Sequence, residues 1–481
     1  MLQLLRKKSG LILGPLVFIL IQLFFKPEGL SPQGIAVLAC TLWIAVWWIT
    51  EAIPIAVTSM LPVILFPLTG AMNIQDTTSS FGDKYIFLYI GGFILSIAIE
   101  KWSLHKRIAL NIINTIGTNS SSIVLGFMIA TGFLSMWISN TATAVMMMPI
   151  GLAIVKQFED HPDTRENENL IFGKALMLAI AYSASIGGIC TLIGTPPNVI
   201  FAGVIQKFYH VEISFMQWFK IGFPVAVVLM AFCWFYLVKI AFKLNKQSFP
   251  GGKAEIQRQL HHLGAIKFEE KVIFIVFILT ALAWITRGFV LSKLIPGIDD
   301  TIIAMVAAIV LFLIPSNKEK GQRLLTWKEA ERLPWGILLL FGGGLAIAGG
   351  FESSGLASWI GNQITIFHGV TLLVLLIIIV TMVNFLTEIT SNLATTAMLL
   401  PVLVPVAAVL NESPYVLMVG ATLAASCAFM LPVATPPNAV VFGSGYLHIP
   451  DMIRKGFVMN LFSIIVIVFF VYFIVPYLWK G

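Results

Sequence analysis

Charged residues are scarce in this chain of 481 residues, in which Asp, Glu, Lys and Arg make up 11% and hydrophobic residues 58%. A soluble domain usually carries about 25% charged residues, so the composition excludes an ordinary water-soluble protein. Ten-residue strands of alternating polarity are also lacking, which excludes a transmembrane β-barrel. Apolar runs near the roughly 20 residues that span a bilayer recur instead. The sequence therefore predicts an all-α polytopic protein of the cell membrane, surrounded by lipid.

Cysteine is rare as well, with four residues that all fall in apolar segments, at Cys40, Cys190, Cys233 and Cys427. Such isolated cysteines predict neither a disulfide framework nor a metal site. The pair His261-His262 lies in a polar stretch, where we expect solvated side chains. Near the motifs described below there is no Ser, His and Asp constellation and no metal-ligand spacing, so we do not expect an enzyme.

The basic residues predict the orientation in the membrane. With the N-terminus inside, only seven of the 30 Lys and Arg residues lie outside, namely Lys26, Lys84, Lys207, Lys220, Arg287, Lys293 and Lys480. This bias obeys the positive-inside rule, so the net charge of +7 is a topology signal and indicates no nucleic-acid partner. We expect a cytoplasmic N-terminus, an outside C-terminus and cytoplasmic connections at 239–271 and 318–332. The spans used are 10–25, 33–50, 54–70, 84–100, a hairpin at 122–156, 173–206, 218–240, 270–292, 300–315, 335–351, a hairpin at 369–410, 414–447 and 456–479.

The first apolar segment, 11–25, follows Arg6, Lys7 and Lys8, as a signal peptide would. No small-residue cleavage site follows it, and the polar stretch 26–28 comes next. We therefore expect this segment to be a retained first helix.

The chain contains an internal duplication. The stretch SNTATAVMMMP at 139–149 recurs as SNLATTAMLLP at 391–401, 252 residues later, and eight of the 17 positions in 133–149 are identical to their partners. A second pair, GTPPNVIF at 194–201 and ATPPNAVVF at 434–442, is offset by 240 residues. On the predicted topology one hairpin enters from the cytoplasm and the other from outside, so the halves are inverted, as in many secondary transporters. The predicted parts are an N-terminal helix 1–30, a first repeat 31–242 with scaffold helices to about 104, a basic cytoplasmic linker 243–269, and a second repeat 270–481 with scaffold helices to about 352.

The repeated motifs predict helix ends inside the membrane. Proline lacks an N–H and disfavours a helical residue before it, so the two Thr-Pro-Pro-Asn motifs predict broken helices. Ser and Asn favour helix N-caps, so the two Ser-Asn motifs predict the tips of re-entrant hairpins. Helix N-termini carry about +0.5 of a charge, which suits an anion, and nearby hydroxyls and carbonyls suit a hard cation such as sodium. We expect no Arg or Lys near any of the four motifs, and the nearest charged residue, Glu388, has the wrong sign for an anion site. Bound cations would then supply the countercharge and couple the anion to sodium.

At these residues the chain resembles the divalent anion/sodium symporter family of sodium-coupled dicarboxylate and citrate carriers. The resemblance rests on FLSMWISNTAT, GGICTLIGTPPN, FLTEITSNLATT and AFMLPVATPPNAVVF. It implies a homodimeric inverted-repeat transporter of the elevator type, with two re-entrant hairpins and two broken helices. It also implies two sodium sites, one at Ser135, Ser139, Asn140 and Gly194 and the other at Thr387, Thr390, Asn392 and Ala434. The implied substrate ligands are Asn140, Thr141, Thr195, Asn392, Thr435 and Pro436.

One position departs from the family pattern. The second motif often reads Ser-Asn-Thr, and here position 393 is Leu393, which donates no side-chain hydrogen bond. The expected activity is sodium-coupled import of C4-dicarboxylates such as succinate, malate or fumarate, with citrate and sulfate left open. A dicarboxylate exchanger of the 2-oxoglutarate/malate type is an alternative within the fold, and an anion channel is an alternative of another class.

Overall fold

The computed structural model describes residues 2–117, 119–157, 168–244, 250–319, 321–363, 371–409 and 413–479. Helices and the turns that join them make up the fold in these ranges, and eight of the helices there are long and apolar enough to cross a membrane. The predicted all-α polytopic architecture is confirmed. The helices before the first hairpin are Leu2–Phe24, Pro32–Thr50, Ile55–Thr58, Leu61–Thr69, Ile74–Ser79, Lys84–Lys101 and Leu104–Ile116.

Each half of the chain contains a helical hairpin followed by a broken helix. The first hairpin consists of Ser120–Ser135 and Asn140–Val155, and the first broken helix of Glu168–Ile189 and Pro196–Tyr209. The second hairpin consists of Leu372–Leu386 and Asn392–Val409, and the second broken helix of Pro414–Ala425 and Pro436–Phe442. The helices between these two units are Phe215–Phe235 with a π-helical end Tyr236–Ala241, Pro250–Leu263, Phe268–Thr286, Arg287–Leu291, Ser292–Leu294, Asp300–Leu313, Trp327–Ala330, Trp335–Ser353 and Leu356–Gln363, and the chain ends with Ile449–Phe473 and Val475–Leu478.

Helices begin directly after the predicted cap Ser139 and at both predicted breaks. Ser139 precedes the second arm of the first hairpin in a non-helical conformation, and its hydroxyl accepts a hydrogen bond from the amide of Ala142. Thr195 and Thr435 are both extended, with φ of −144° and −139°, and each is followed by a helix whose first two residues are proline. Proline is tolerated at such positions because the first amides of a helix have no partner within it.

The two halves pack in a crossed arrangement. The first part of each broken helix packs against both arms of its own hairpin. The second part of each broken helix instead packs against the second arm of the opposite hairpin, and also against the first part of the opposite broken helix. Exchanging the two halves reproduces this pattern, so the duplication in the sequence is also a duplication in space.

The hairpins open toward opposite ends of the helices. Lys174, just after the first hairpin, forms an ion pair of 2.9 Å with Asp451 at the start of the last long helix. Tyr415, just after the second hairpin, instead contacts the ring of Trp479. Trp479 lies beyond the C-terminal end of that last long helix. The two halves are therefore inverted relative to each other, as the sequence predicts.

Ion pairs also separate two faces of the molecule. On one face, Lys101 pairs with Glu329 at 2.7 Å and Arg107 with Glu270 at 2.5 Å. On the other, Glu212 accepts from both Lys84 and Arg287 at 3.3 and 2.7 Å. None of these pairs joins residues that the basic-residue count places on opposite sides of the membrane.

Two segments differ in detail from the sequence-based expectation. The predicted linker 243–269 contains the helix Pro250–Leu263, although 245–249 lies outside the described residues. That helix packs against Leu104–Ile116 and the first hairpin, contacts that no short-range pattern encodes. The predicted span 54–70 is interrupted after Thr58, where Ser59 bonds back to Ile55 through its hydroxyl.

Candidate functional site

Both hairpin tips and both helix breaks line one cavity of about 590 Å³. Motifs that lie 252 and 240 residues apart in sequence thus form a single site. Every residue predicted to bind substrate lines this cavity, namely Asn140, Thr141, Thr195, Asn392, Thr435 and Pro436. Six of the residues predicted to bind sodium line it as well, namely Ser139, Asn140, Gly194, Thr390, Asn392 and Ala434.

The first tip is organised by a hydrogen bond across the hairpin turn. Ser135 is fully buried behind the cavity wall, and its hydroxyl donates to Oδ1 of Asn140 at 2.5 Å. A second hydroxyl, that of Thr191 in the helix break, donates to the carbonyl of Met136 at 2.5 Å. The turn is therefore tied both to its own second arm and to the first break.

The second tip repeats this arrangement. Thr387 is fully buried, and its hydroxyl lies 2.7 Å from Oδ1 of Asn392 and 3.0 Å from the carbonyl of Ala425. The hydroxyl of Thr390 lies 2.6 Å from that of Thr395. Ser135 and Thr387 thus occupy equivalent places, each holding the asparagine of its motif.

Glycine allows the first break to approach the first tip. A Cβ added at Gly188 would lie 2.6 Å from Oδ1 of Asn140. A Cβ at Gly194 would lie 2.5 Å from the carbonyl oxygen of Gly188. Both distances are shorter than real Cβ contacts, so a side chain at Gly188 would push the tip away from the break, and one at Gly194 would displace the backbone of the break itself.

The asparagine of each Thr-Pro-Pro-Asn motif braces its own break, a role that sequence reasoning missed. The side-chain amide of Asn198 donates to the carbonyls of Gly188 and Thr191 at 3.2 and 2.7 Å. The amide of Asn438 donates to the carbonyls of Ala428 and Leu431 at 3.2 and 3.0 Å. In both repeats the acceptors lie ten and seven residues before the asparagine, and both asparagines are fully buried. The recurrence of Asn after Pro-Pro was the available signal.

Glu388 also has a role that the sequence did not indicate. Its carboxylate accepts hydrogen bonds from the backbone amides of Phe429, Met430 and Leu431 and from the side-chain amide of Asn460. Ten residues separate the two parts of the second broken helix, against six in the first. The longer break leaves more amides without helical partners, and Glu388 satisfies three of them. Its repeat equivalent is Met136, which has no carboxylate.

Charge at the cavity differs from the sequence-based expectation. Lys7 and Glu51 line the cavity together and lie 3.9 Å apart, with about half of each side chain exposed. The expectation that no Lys or Arg lies near the motifs is therefore wrong in space, because the first helix brings Lys7 to the site. Its charge is matched by Glu51. Leu393 lines the cavity too. Its equivalent in the first repeat is Thr141, which is exposed.

The chemistry of the cavity favours hard ions. The candidate ligands near each tip are hydroxyl, amide and backbone carbonyl oxygens, which are the donors that hard cations take. No group of three or more His, Cys, Asp or Glu side chains that could hold a metal ion is found in the described ranges. The N-terminal ends of Asn140–Val155 and Pro196–Tyr209 point at the cavity through Asn140 and Pro196, and such ends attract anions.

The sequence matches a known family along nearly its whole length. The family model described as the sodium:sulfate symporter transmembrane region matches residues 6–479. The sodium-dependent dicarboxylate transporter SdcS of Staphylococcus saprophyticus is 52% identical over 472 residues, covering 97% of this chain and 91% of that protein. SdcS of Staphylococcus aureus is 49% identical with the same coverage.

Two solved structures share the fold at low sequence identity. MtrF of Neisseria gonorrhoeae, described as one of a class of antimetabolite efflux pumps, matches with a TM-score of 0.60 at 13% identity, covering 97% of this chain and 94% of that one. The YdaH transporter of Alcanivorax borkumensis matches with a TM-score of 0.59 at 13% identity, covering 83% and 87%. At this identity the likeness concerns the fold alone.

Proposed function

Because the chain belongs to the family of the sodium:sulfate symporter transmembrane region, we propose that it is a secondary transporter that imports C4-dicarboxylates such as succinate, malate and fumarate together with sodium. The names of its relatives, at 49–52% identity, support both the substrate class and the cation. The observation that carries the proposal is the meeting of two hairpin tips and two helix breaks in one cavity.

Two sodium ions are co-transported, one at each tip. The first site uses Ser135, Ser139, Asn140 and the backbone at Gly194. The second uses Thr387, Thr390, Asn392 and the backbone at Ala434. The bonds Ser135–Asn140 and Thr387–Asn392 support this assignment, because each holds two candidate ligand oxygens within 2.5–2.7 Å of each other.

The dicarboxylate binds between the two sodium ions. Its carboxylates are held by Asn140, Thr141 and Thr195 on one side and by Asn392, Thr435 and Pro436 on the other. Helix N-termini supply part of the positive charge, and the sodium ions supply the rest. Leu393 makes the second half-site less polar than the first, which suits a substrate with an apolar middle.

Transport follows an elevator movement in a homodimer with cytoplasmic N-termini. The hairpins and broken helices form the mobile part, and the preceding helices of each repeat, to about 104 and 352, form the scaffold. The crossed packing of hairpins and broken helices supports their movement as one body. The cavity borders Lys7, Glu51 and Pro334, which lie on the face that carries most basic residues, so it opens toward the cytoplasm.

Uptake by purified protein in proteoliposomes tests the proposal. Labelled succinate should accumulate when an inward sodium gradient is imposed and should not accumulate when choline replaces sodium. Accumulation should be abolished when the sodium gradient is dissipated beforehand. Uptake that is independent of sodium and needs dicarboxylate inside the vesicle identifies an exchanger. A flux that does not saturate with substrate concentration identifies a channel.

A further inference from the structure

A second, larger cavity adjoins the first. It has a volume of about 1220 Å³, and it shares Phe93, Ser139, Thr141, Pro334 and Ile337 with the wall of the substrate cavity. Ser139 and Thr141 of the first hairpin tip therefore border both spaces. We call the larger cavity the vestibule.

The vestibule lies between the proposed mobile part and the proposed scaffold. One wall is the second arm of the first hairpin, and the opposite wall includes the end of Lys84–Lys101 and the segment around Arg332. The helix Pro250–Leu263 contributes Gln259 and His262 to its lining and packs against the first hairpin. This helix therefore forms part of the vestibule wall.

Part of the charge in the vestibule is internally neutralised. Lys101 forms ion pairs with Glu329 at 2.7 Å and with Glu319 at 3.2 Å. Burial alone would raise the pKa of Glu329, but hydrogen bonds from Lys101 and Thr326 hold that pKa below its usual value. One cation thus faces two carboxylates in this cluster, so Lys101 adds no free positive charge to the vestibule.

Two cations of the lining have no such partner. Lys106 and Arg332 are both exposed, and neither has a carboxylate within 4.0 Å among the residues that the structure describes. The remaining titratable groups of the lining are Glu100, His262 and the buried His105. The lining itself thus holds three cationic side chains, Lys101, Lys106 and Arg332, and two carboxylates, Glu100 and Glu329, so its formal charge is positive.

We propose that the vestibule is a docking site for the dicarboxylate dianion on the cytoplasmic side, with Lys106 and Arg332 as its ligands. The proposal rests on the proposed function, since it concerns the same substrate. Among the residues that the structure describes, the substrate cavity is lined by one cationic side chain, Lys7, which is paired with Glu51. Lys106 and Arg332 thus place positive charge in the cavity that adjoins the site, without an ion pair among the described residues.

The expected effect is kinetic. A cleft lined by one sign of charge raises the local concentration of a counter-ion and its association rate, by a factor of about 10 or more. Exposed charges are screened over about 10 Å at 0.1 M salt, so the effect must shrink as ionic strength rises.

Transport from each face of the membrane tests the proposal. Uptake of labelled succinate is measured in inside-out vesicles, where the vestibule faces the medium, and in right-side-out vesicles, where it does not. The double variant Lys106→Gln/Arg332→Gln should show a KM raised about fivefold or more in inside-out vesicles at low ionic strength. Its KM in right-side-out vesicles should equal that of the wild type, and added choline chloride at fixed sodium should abolish the difference.

A charge-matched control separates this site from general surface charge. Lys271 and Lys328 are exposed and do not line the vestibule, so Lys271→Gln/Lys328→Gln removes the same charge elsewhere on the same face. An unchanged inside-out KM in the vestibule variant, or an equal rise in the control, overturns the docking site while leaving the transporter intact. Absence of succinate transport by the wild type in both kinds of vesicle overturns the proposed function instead.

Discussion

The hydroxyl of Ser135 donates a hydrogen bond of 2.5 Å to Oδ1 of Asn140 across the tip of the first hairpin. Thr387 and Asn392 repeat the bond at 2.7 Å in the second hairpin. The duplication thus preserves a pair of adjacent oxygens at each tip, although serine is replaced by threonine. A pair of oxygens held this close is suited to coordinating one small cation.

Removing either hydroxyl should therefore affect sodium more than substrate. Ser135→Ala or Thr387→Ala should raise the sodium concentration for half-maximal succinate uptake about tenfold, because a lost bond to a charged group costs about 1.5–3 kcal/mol. The succinate KM at saturating sodium should change by much less. Initial rates of uptake, measured against sodium at fixed succinate and then the reverse, provide both values.

Two buried hydroxyls elsewhere serve as controls for these variants. Ser183 and Thr422 are fully buried and bond to carbonyls of their own helices. Ser183→Ala and Thr422→Ala should leave sodium dependence unchanged. A similar shift in the controls would mean that the effect comes from helix packing rather than from cation binding.

The close approach at Gly188 yields a steric prediction. Gly188→Ala places a methyl group 2.6 Å from Oδ1 of Asn140, so either the tip or the break must move. Succinate uptake should fall at least tenfold at normal membrane expression. Gly288, where an added Cβ meets nothing within 4 Å, is the matched control, and Gly288→Ala should transport normally. Wild-type uptake by Gly188→Ala would show that Asn140 is free to move.

Local chemistry explains which parts of the site could be predicted from the sequence. Ser139 caps a helix through its own hydroxyl, and Pro196 and Pro197 prevent a helix from continuing, so both features are encoded within a few residues. Because of the internal repeat, each of these motifs occurs twice, which indicates that the two halves contribute to one function. Hairpins, breaks and the lining of the cavity followed from these local rules.

The features that were missed depend on contacts between distant segments. Lys7 reaches the cavity because the first helix packs on Pro32–Thr50, which no motif near the site could reveal. Glu388 looked unfavourable for an anion site because its amide partners, at 429–431, lie in another segment. Which carbonyls accept hydrogen bonds from the side-chain amide of Asn198 depends on the geometry of the break. The sequence indicates the break only as a place where a helix ends.

Glu388 gives a third prediction. All its hydrogen-bond partners are N–H donors, so Glu388→Gln replaces one acceptor oxygen with an NH₂ group that faces donors. A buried group left unsatisfied costs about 1–3 kcal/mol. Purified Glu388→Gln should therefore unfold at a lower temperature in detergent and transport less. The exposed Glu352 offers the control, since Glu352→Gln should unfold like the wild type, and equal stability of the two variants would contradict the role assigned to Glu388.

The orientation can be tested with a matched pair of cysteines. Gln257 and Gln217 are both exposed but belong to opposite faces, the first on Pro250–Leu263 and the second beside the Glu212 ion pairs. Cysteine at 257 should react with an impermeant maleimide only after the membrane is permeabilised, whereas cysteine at 217 should react in intact cells. The four native cysteines are buried, so background labelling should be low. The reverse pattern would invert the topology and make the vestibule extracellular.

The last prediction concerns coupling between the two ligands. For a bound dianion, the cavity provides helix N-termini and one lysine, Lys7, whose charge is matched by Glu51. Burying an ion without countercharge costs several kcal/mol, so sodium must bind for the dicarboxylate to bind well. Succinate should bind at least tenfold more tightly in sodium than in choline, and saturating succinate should raise sodium affinity by the same factor, because coupling free energies are reciprocal. Titration calorimetry of each ligand with and without the other measures both factors. Lithium, being smaller than the oxygen cage set for sodium, should substitute poorly. Equal succinate affinity in choline and sodium would mean that the protein supplies the countercharge itself, and sodium-coupled symport would then give way to exchange.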